Sequence, residues 1–118
     1  MSLKLVPLRV PSGWKIIFND FTEADSDLFV DENHEQLWEF KEDLLQFKYE
    51  EKRTLDLGWY PEFKPEGRYK LMLIDSASKE QPDWEKPIYV FESRKTKDII
   101  EKIEFVLDEV SKCRLYNA

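Results

Sequence analysis

The sequence predicts an α+β fold for a single globular domain over residues 1–118. It would hold a largely antiparallel sheet of about five strands, a C-terminal amphipathic helix packed on that sheet, and a short middle helix. Three observations lead there. Runs beginning near Trp14, Leu55, Tyr69 and Ile88 alternate in character with a period of two, and turn residues separate them. From Thr96 the period changes to that of a helix. Strands dominate the order of elements, and a helix closes it.

Leu3 to Val10 is β-rich, and Pro7, which lacks an amide hydrogen, confines it to an edge or a bent strand. Pro11 to Gly13 reads as a turn. Trp14 to Phe21 follows, with Trp14, Ile16 and Phe18 on one face and Lys15, Ile17, Asn19 and Phe21 on the other. The two runs predict an N-terminal hairpin. In the acidic middle, Asn33 suits a helix cap, and Leu37, Phe40, Lys41, Leu44 and Leu45 recur at helical spacing, which predicts about three turns. Leu45, Phe47 and Tyr49 then alternate as a strand would, so residues 33–49 carry both patterns.

The stretch LDLGWYPEFKPEGRYKLMLI, Leu55 to Ile74, reads as two strands joined by a loop. Leu55, Leu57 and Trp59 alternate before the loop, and Tyr69, Leu71 and Leu73 alternate after it. Between them, PEFKPEG combines prolines that fix backbone geometry with a glycine free to take positive φ. A phosphate cradle needs closely spaced glycines ahead of a helix, whereas Gly58 and Gly67 stand nine apart and flank strands. Pro61 and Pro65 also miss the PxxP spacing of a polyproline ligand.

Asp75 to Pro87 is a polar connection holding the isolated Trp84, and Ile88 to Arg94 is a further strand. Thr96 then caps a helix whose Ile99, Ile100, Ile103, Val106, Leu107 and Val110 form one apolar stripe. Asp98 lies early in it and Lys112 and Arg114 late, as the helix dipole favours. That helix is expected to cover the sheet.

At 118 residues, with 42% hydrophobic and 14% aromatic content, the chain has enough apolar material for one core despite 36% charged residues. A single cysteine, Cys113, rules out an internal disulfide, and no apolar run approaches the roughly 20 residues of a membrane helix. A soluble, cytoplasmic protein is the expectation. The net charge of −7 is unevenly placed. From Asp20 to Lys52 there are 12 acids against 3 lysines, and the remainder holds 13 acids and 15 bases, so the negative charge sits in the acidic middle. Such a block either solvates a face or steers a basic partner. Direct binding of a nucleic acid, or of an anionic membrane, would need basic clusters that the sequence lacks.

Catalytic and metal motifs are excluded more firmly than any is proposed, and no cofactor is expected. HEQLW at His34 has the first half of the zinc-protease HExxH, but Trp38 stands where the second ligand belongs, and His34 is the only histidine. Cys113 and His34 as nucleophile and base give way to a structural thiol near the apolar stripe. Asp25 to Asn33 clusters oxygen ligands without the glycine of a calcium loop and with Leu28, Phe29 and Val30 inside it. Paired carboxylates of the kind used in glycoside hydrolysis remain open as a device, with too many acids to choose among.

Trp14 and Trp59 sit on apolar sides of strands and are read as core, whereas Trp38, on an acidic segment, and Trp84, in a polar loop, are read as surface anchors. Phe105 lies on the polar face of the last helix. Exposed rings beside a charged rim suit a protein-binding hot spot, and stacking rings suit a sugar equally. The candidate partner-binding set is Asp25, Asp27, Asp31, Glu32, Glu35, Trp38, Glu39 and Trp84. The leading reading is a non-catalytic protein-binding module. The alternatives are a small-ligand or carbohydrate-binding domain or carboxylate-dependent hydrolase, and an adaptor subunit of a larger assembly.

In its acidic block, its loop and strand aromatics, and the stretches GWYPEFKPEG and DWEKPIYVF ahead of the closing amphipathic helix, the chain resembles the small acidic immunity proteins that bacteria pair with polymorphic toxins. The resemblance implies a cytoplasmic inhibitor that blocks a basic partner, such as a toxin nuclease, by occupying its substrate groove.

Overall fold

The structure, a computed structural model, describes residues 3–50, 52–75 and 84–112. Cys113, Arg114 and Glu51, and most of the Asp75 to Pro87 connection, lie outside the described residues. Five strands, β1 (Trp14–Asn19), β2 (Leu45–Tyr49), β3 (Arg53–Tyr60), β4 (Arg68–Asp75) and β5 (Tyr89–Ser93), form one sheet in the order β1-β2-β3-β4-β5. Every neighbouring pair is antiparallel. The helix α1, Thr96–Ser111, closes the fold, so the expected α+β architecture is present.

The period-two pattern decides which face is buried. The register sets Leu45 opposite Leu57, Phe47 opposite Leu55, Leu57 opposite Leu71 and Leu71 opposite Phe91, so one face of the central strands is continuously apolar. Ile99, Ile103, Val106, Leu107 and Val110 of α1 are buried in the same cluster as these residues. Thr96 is the first helical residue rather than the cap. Lys95 holds the cap position without a side-chain bond, while Ser93 Oγ accepts the Lys95 amide at 3.0 Å. Thr96 is drawn away by tertiary partners, its hydroxyl lying 3.3 Å from Ser26 Oγ and bonding the buried Tyr69 phenol.

Two expected elements differ. Leu3 to Val10 forms no hairpin with β1; a single bridge, Leu5 to Thr22, and the Val6 amide to the Phe21 carbonyl at 2.9 Å tie it to the chain beyond that strand. Pro7 limits the ladder to that short contact. The place beside β1 belongs instead to β2, and a bulge at Ile17 turns Phe18 to the face opposite Ile16. The three-turn middle helix is reduced to 3-10 turns at Ser26–Leu28 and Leu37–Glu39. Its cap candidate Asn33 donates its amide to Asp31 instead, and Lys41 to Leu44 run alongside β3, with the Trp59 amide on the Lys41 carbonyl and the Leu44 amide on that of Leu57. Backbone bonds to a neighbouring strand outcompete the local helix there, because they come with burial of Phe40 and Leu44.

That close approach explains Gly58. A Cβ at this position would lie 2.0 Å from the Glu42 carbonyl oxygen, so only a residue without a side chain lets the 41–44 segment pass. Gly67 is constrained in the same way by the Trp59 indole and the Tyr60 carbonyl.

Candidate functional site

The site is a loop and a hairpin that meet at one end of the sheet. Between β1 and β2 the chain runs from Asp20 to Leu44 with little regular structure, and it is anchored from inside. Phe29 and Phe40 are fully buried and meet Trp59 with ring centroids at 5.8 and 4.8 Å; Trp59 in turn packs edge-on to Tyr69 at 4.9 Å. The Trp59 indole N–H donates to the Lys64 carbonyl at 2.8 Å, which draws the β3–β4 loop onto the same cluster. With Phe21, Ala24, Phe29, Phe40 and Leu44 turned inward, the loop carries its acids on the outside beside the exposed Leu28 and Val30: Asp25, Asp27, Asp31, Glu32 and Glu35 are all exposed, and Glu39 is partly so.

Trp38 stands out of this loop at 66% exposure. Phe63, from the β3–β4 loop, supports it edge-on, with ring centroids 4.9 Å apart and planes at 75°. The Phe63 backbone is left-handed at φ 61°, a conformation disfavoured for a bulky side chain, and its amide donates to the Phe40 carbonyl at 2.7 Å. Next to it Lys64 reaches across to Glu32 at 2.7 Å; that hydrogen bond, then the Glu32 charge, raises the lysine pKa. An open groove of about 440 Å³ separates the loop from the hairpin, bounded by Val30, Asp31, Glu32, Pro65 and Glu66, with Arg94 at its inner side.

Seven of the eight residues expected to bind a partner therefore share one loop, and Trp84 does not join them. The chain enters β5 at the far end of the sheet, where the Ile88 amide bonds the Leu73 carbonyl, so Trp84, 42% exposed, approaches from the end away from Trp38 and Phe63. Sequence reasoning missed Phe63, although a lone aromatic in the polar loop PEFKPEG was the available signal. It also missed Arg94, whose hydrogen-bond acceptors are all backbone carbonyls and leave no trace in composition. Phe105 is 45% exposed, with the Lys102 ammonium 5.4 Å from its ring, and lies outside this site.

The block does not gather onto one surface. Glu42 and Asp43 fall on the side of Tyr60, where Asp56 and Glu62 join them; burial first, then these four charges, push the Tyr60 phenol up to about 12. Asp56 is only 7% exposed, and burial, with a lesser contribution from Asp43, raises its carboxyl to about 6 against the opposing hydrogen bond from Gln46. Among the described residues, ion pairs tie down Asp20 (Lys41, 3.2 Å), Glu32 (Lys64) and Glu50 (Lys52, 4.0 Å), while the exposed Asp25, Asp27, Asp31 and Glu35 of the loop make none.

His34 is engaged locally, its Nδ1 accepting the Gln36 amide at 3.0 Å and its ring edge-on to Phe29. Among the described residues no group of three or more His, Cys, Asp or Glu side chains is arranged to hold a metal ion, and no helix is long and apolar enough to cross a membrane. Neither a protein family, nor a curated protein, nor a solved structure matches the chain.

Proposed function

We propose that this chain is a non-catalytic, cytoplasmic protein-binding module of the immunity type, which neutralises a basic partner such as a toxin nuclease. The observation that carries this reading is Trp38, largely exposed, braced by Phe63, and borne on a loop that also exposes five carboxylates. A braced aromatic loses little conformational freedom on contact and supplies the anchor of a hot spot, on the order of 2 kcal/mol or more. The acids around it speed encounter with a cationic surface and disfavour anionic competitors. Asp25, Asp27, Asp31, Glu32, Glu35 and Glu39 steer, Trp38 holds, and Trp84 has no part in that surface.

The test starts from the tagged protein in its native host. A captured basic protein is purified and rebound to wild type, Trp38→Ala and a double charge reversal, Asp31→Lys with Glu35→Lys. The expected result is a slower, less salt-dependent association for the reversal and a dissociation at least about tenfold faster for Trp38→Ala. Binding unchanged in both variants would sink the proposal.

A further inference from the structure

The acidic loop has only two short 3-10 helices to hold it, yet its backbone follows one path onto the sheet. Arg94, which follows β5 directly, touches both halves of the site. One terminal nitrogen, Nη1, donates to the carbonyls of Pro65 and Gly67 in the β3–β4 loop. The other, Nη2, donates to Ser26 at 3.4 Å and Phe29 at 3.3 Å in the acidic loop. The guanidinium carbon lies 5.1 Å from the centre of the Trp59 ring, and the Arg94 carbonyl accepts the Ser26 hydroxyl. Among the described residues no carboxylate pairs with Arg94, so its charge is met by four carbonyl dipoles and one aromatic face. A lysine ammonium, a single point of charge, could replace neither the geometry nor the reach of this arrangement: the planar fork is what lets one side chain join two backbone segments.

We propose that Arg94 is the positioning residue of the site, a staple that joins residues 26–29 to residues 65–67 and so fixes where Trp38 and its carboxylates stand. Without it, the sheet and α1 keep their own core, while the loop loses its register against the hairpin. The consequence for binding rests on the function proposed above; the staple itself does not.

Arg94→Lys tests this, because lysine retains the charge but offers a single point rather than a fork. Amide hydrogen exchange is read on the free protein. In the variant, the amides of Phe29, Leu37 and Phe40 and the Trp59 indole N–H are expected to exchange about tenfold faster or more, while β3 and α1 amides stay within about twofold of wild type. Ser26→Ala, which removes the hydroxyl contacts to the Arg94 carbonyl and to Thr96 but leaves the guanidinium fork in place, should give a smaller change in the same amides. Wild-type protection of the loop in Arg94→Lys overturns the staple, as does a uniform loss of protection or outright unfolding, which would make Arg94 a general core residue. With the partner captured as above, a positioning role also predicts a faster dissociation with an unaltered salt dependence of association, since every carboxylate remains. If the loop loosens and binding is untouched, the staple stands and the proposed binding surface falls.

Discussion

Phe29 and Phe40 stack with ring centroids 4.3 Å apart and planes within 11° of parallel, closing a stretch of chain whose one 3-10 helix is Leu37–Glu39. Both rings are fully buried against Trp59, so the acidic loop owes its shape to side-chain packing more than to backbone ladders. The backbone hydrogen bonds from Asp25 to Phe40 within the loop close only short turns, so they do not by themselves fix its path. Phe29→Ala is expected to cost about 3 kcal/mol or more, the usual penalty for truncating a buried aromatic ring, with the excess mobility confined to the loop. Urea unfolding gives the magnitude and amide exchange the location; a cost under about 1 kcal/mol would show that the ring is not a support.

Phe63 occupies a left-handed backbone position while bracing Trp38. Asparagine tolerates that conformation and removes the ring. Phe63→Asn should therefore leave the melting temperature within a few degrees of wild type yet weaken partner binding about as much as Trp38→Ala does. A large loss of stability would mean that the ring serves the core rather than the surface.

Asp56 gives the protein a pH dependence of unusual sign. Its carboxyl titrates near 6 in the folded chain against an ordinary 3.8, because burial penalises the charged form. Between those values the folded state holds the extra proton, so the contribution of this group to stability is full below about 3.8 and is lost as pH rises through about 6. Asp56→Asn removes the titration. It is expected to gain stability over wild type at pH 8, on the order of 2 kcal/mol, and little at pH 4. Equal differences at the two pH values, measured by urea denaturation, would contradict the assignment.

Gly58→Ala inserts a methyl group where the Glu42 carbonyl oxygen already lies, 2.0 Å from the new carbon. The obstacle is backbone, so the 41–44 segment must move off β3 and give up the Trp59 and Leu44 amide bonds. A loss on the order of 3 kcal/mol is expected in thermal or urea unfolding. A neutral outcome would mean that the segment is free to shift.

The strands from Leu55 to Tyr60 and from Tyr69 to Ile74 were legible because period-two alternation is a local property and both strands lie in the middle of the sheet. The stripe of α1 was legible for the same reason, and with these elements came the fold class. The charge block was also visible, and six of its acids share one loop with Trp38. The helical spacing of Leu37, Phe40, Leu44 and Leu45 misled, because it arises from packing against β3 and Trp59, which are distant in sequence. Leu3 to Val10 misled similarly: strand propensity says that a segment suits a sheet and leaves its partner open, and β2 took the place beside β1.

From its residues alone, this chain declared a sheet with a helix on one face, one core, and an acidic middle segment with a tryptophan in it. Which acids share a surface came from elsewhere. The fold sent Glu42 and Asp43 toward Tyr60, left Trp84 at the other end of the sheet, and brought Phe63 to Trp38 and Arg94 to four carbonyls. Periodicity is written in neighbouring residues. Contacts across dozens of residues depend on how the whole chain closes, and backbone carbonyls, which Arg94 uses, are the same at every position.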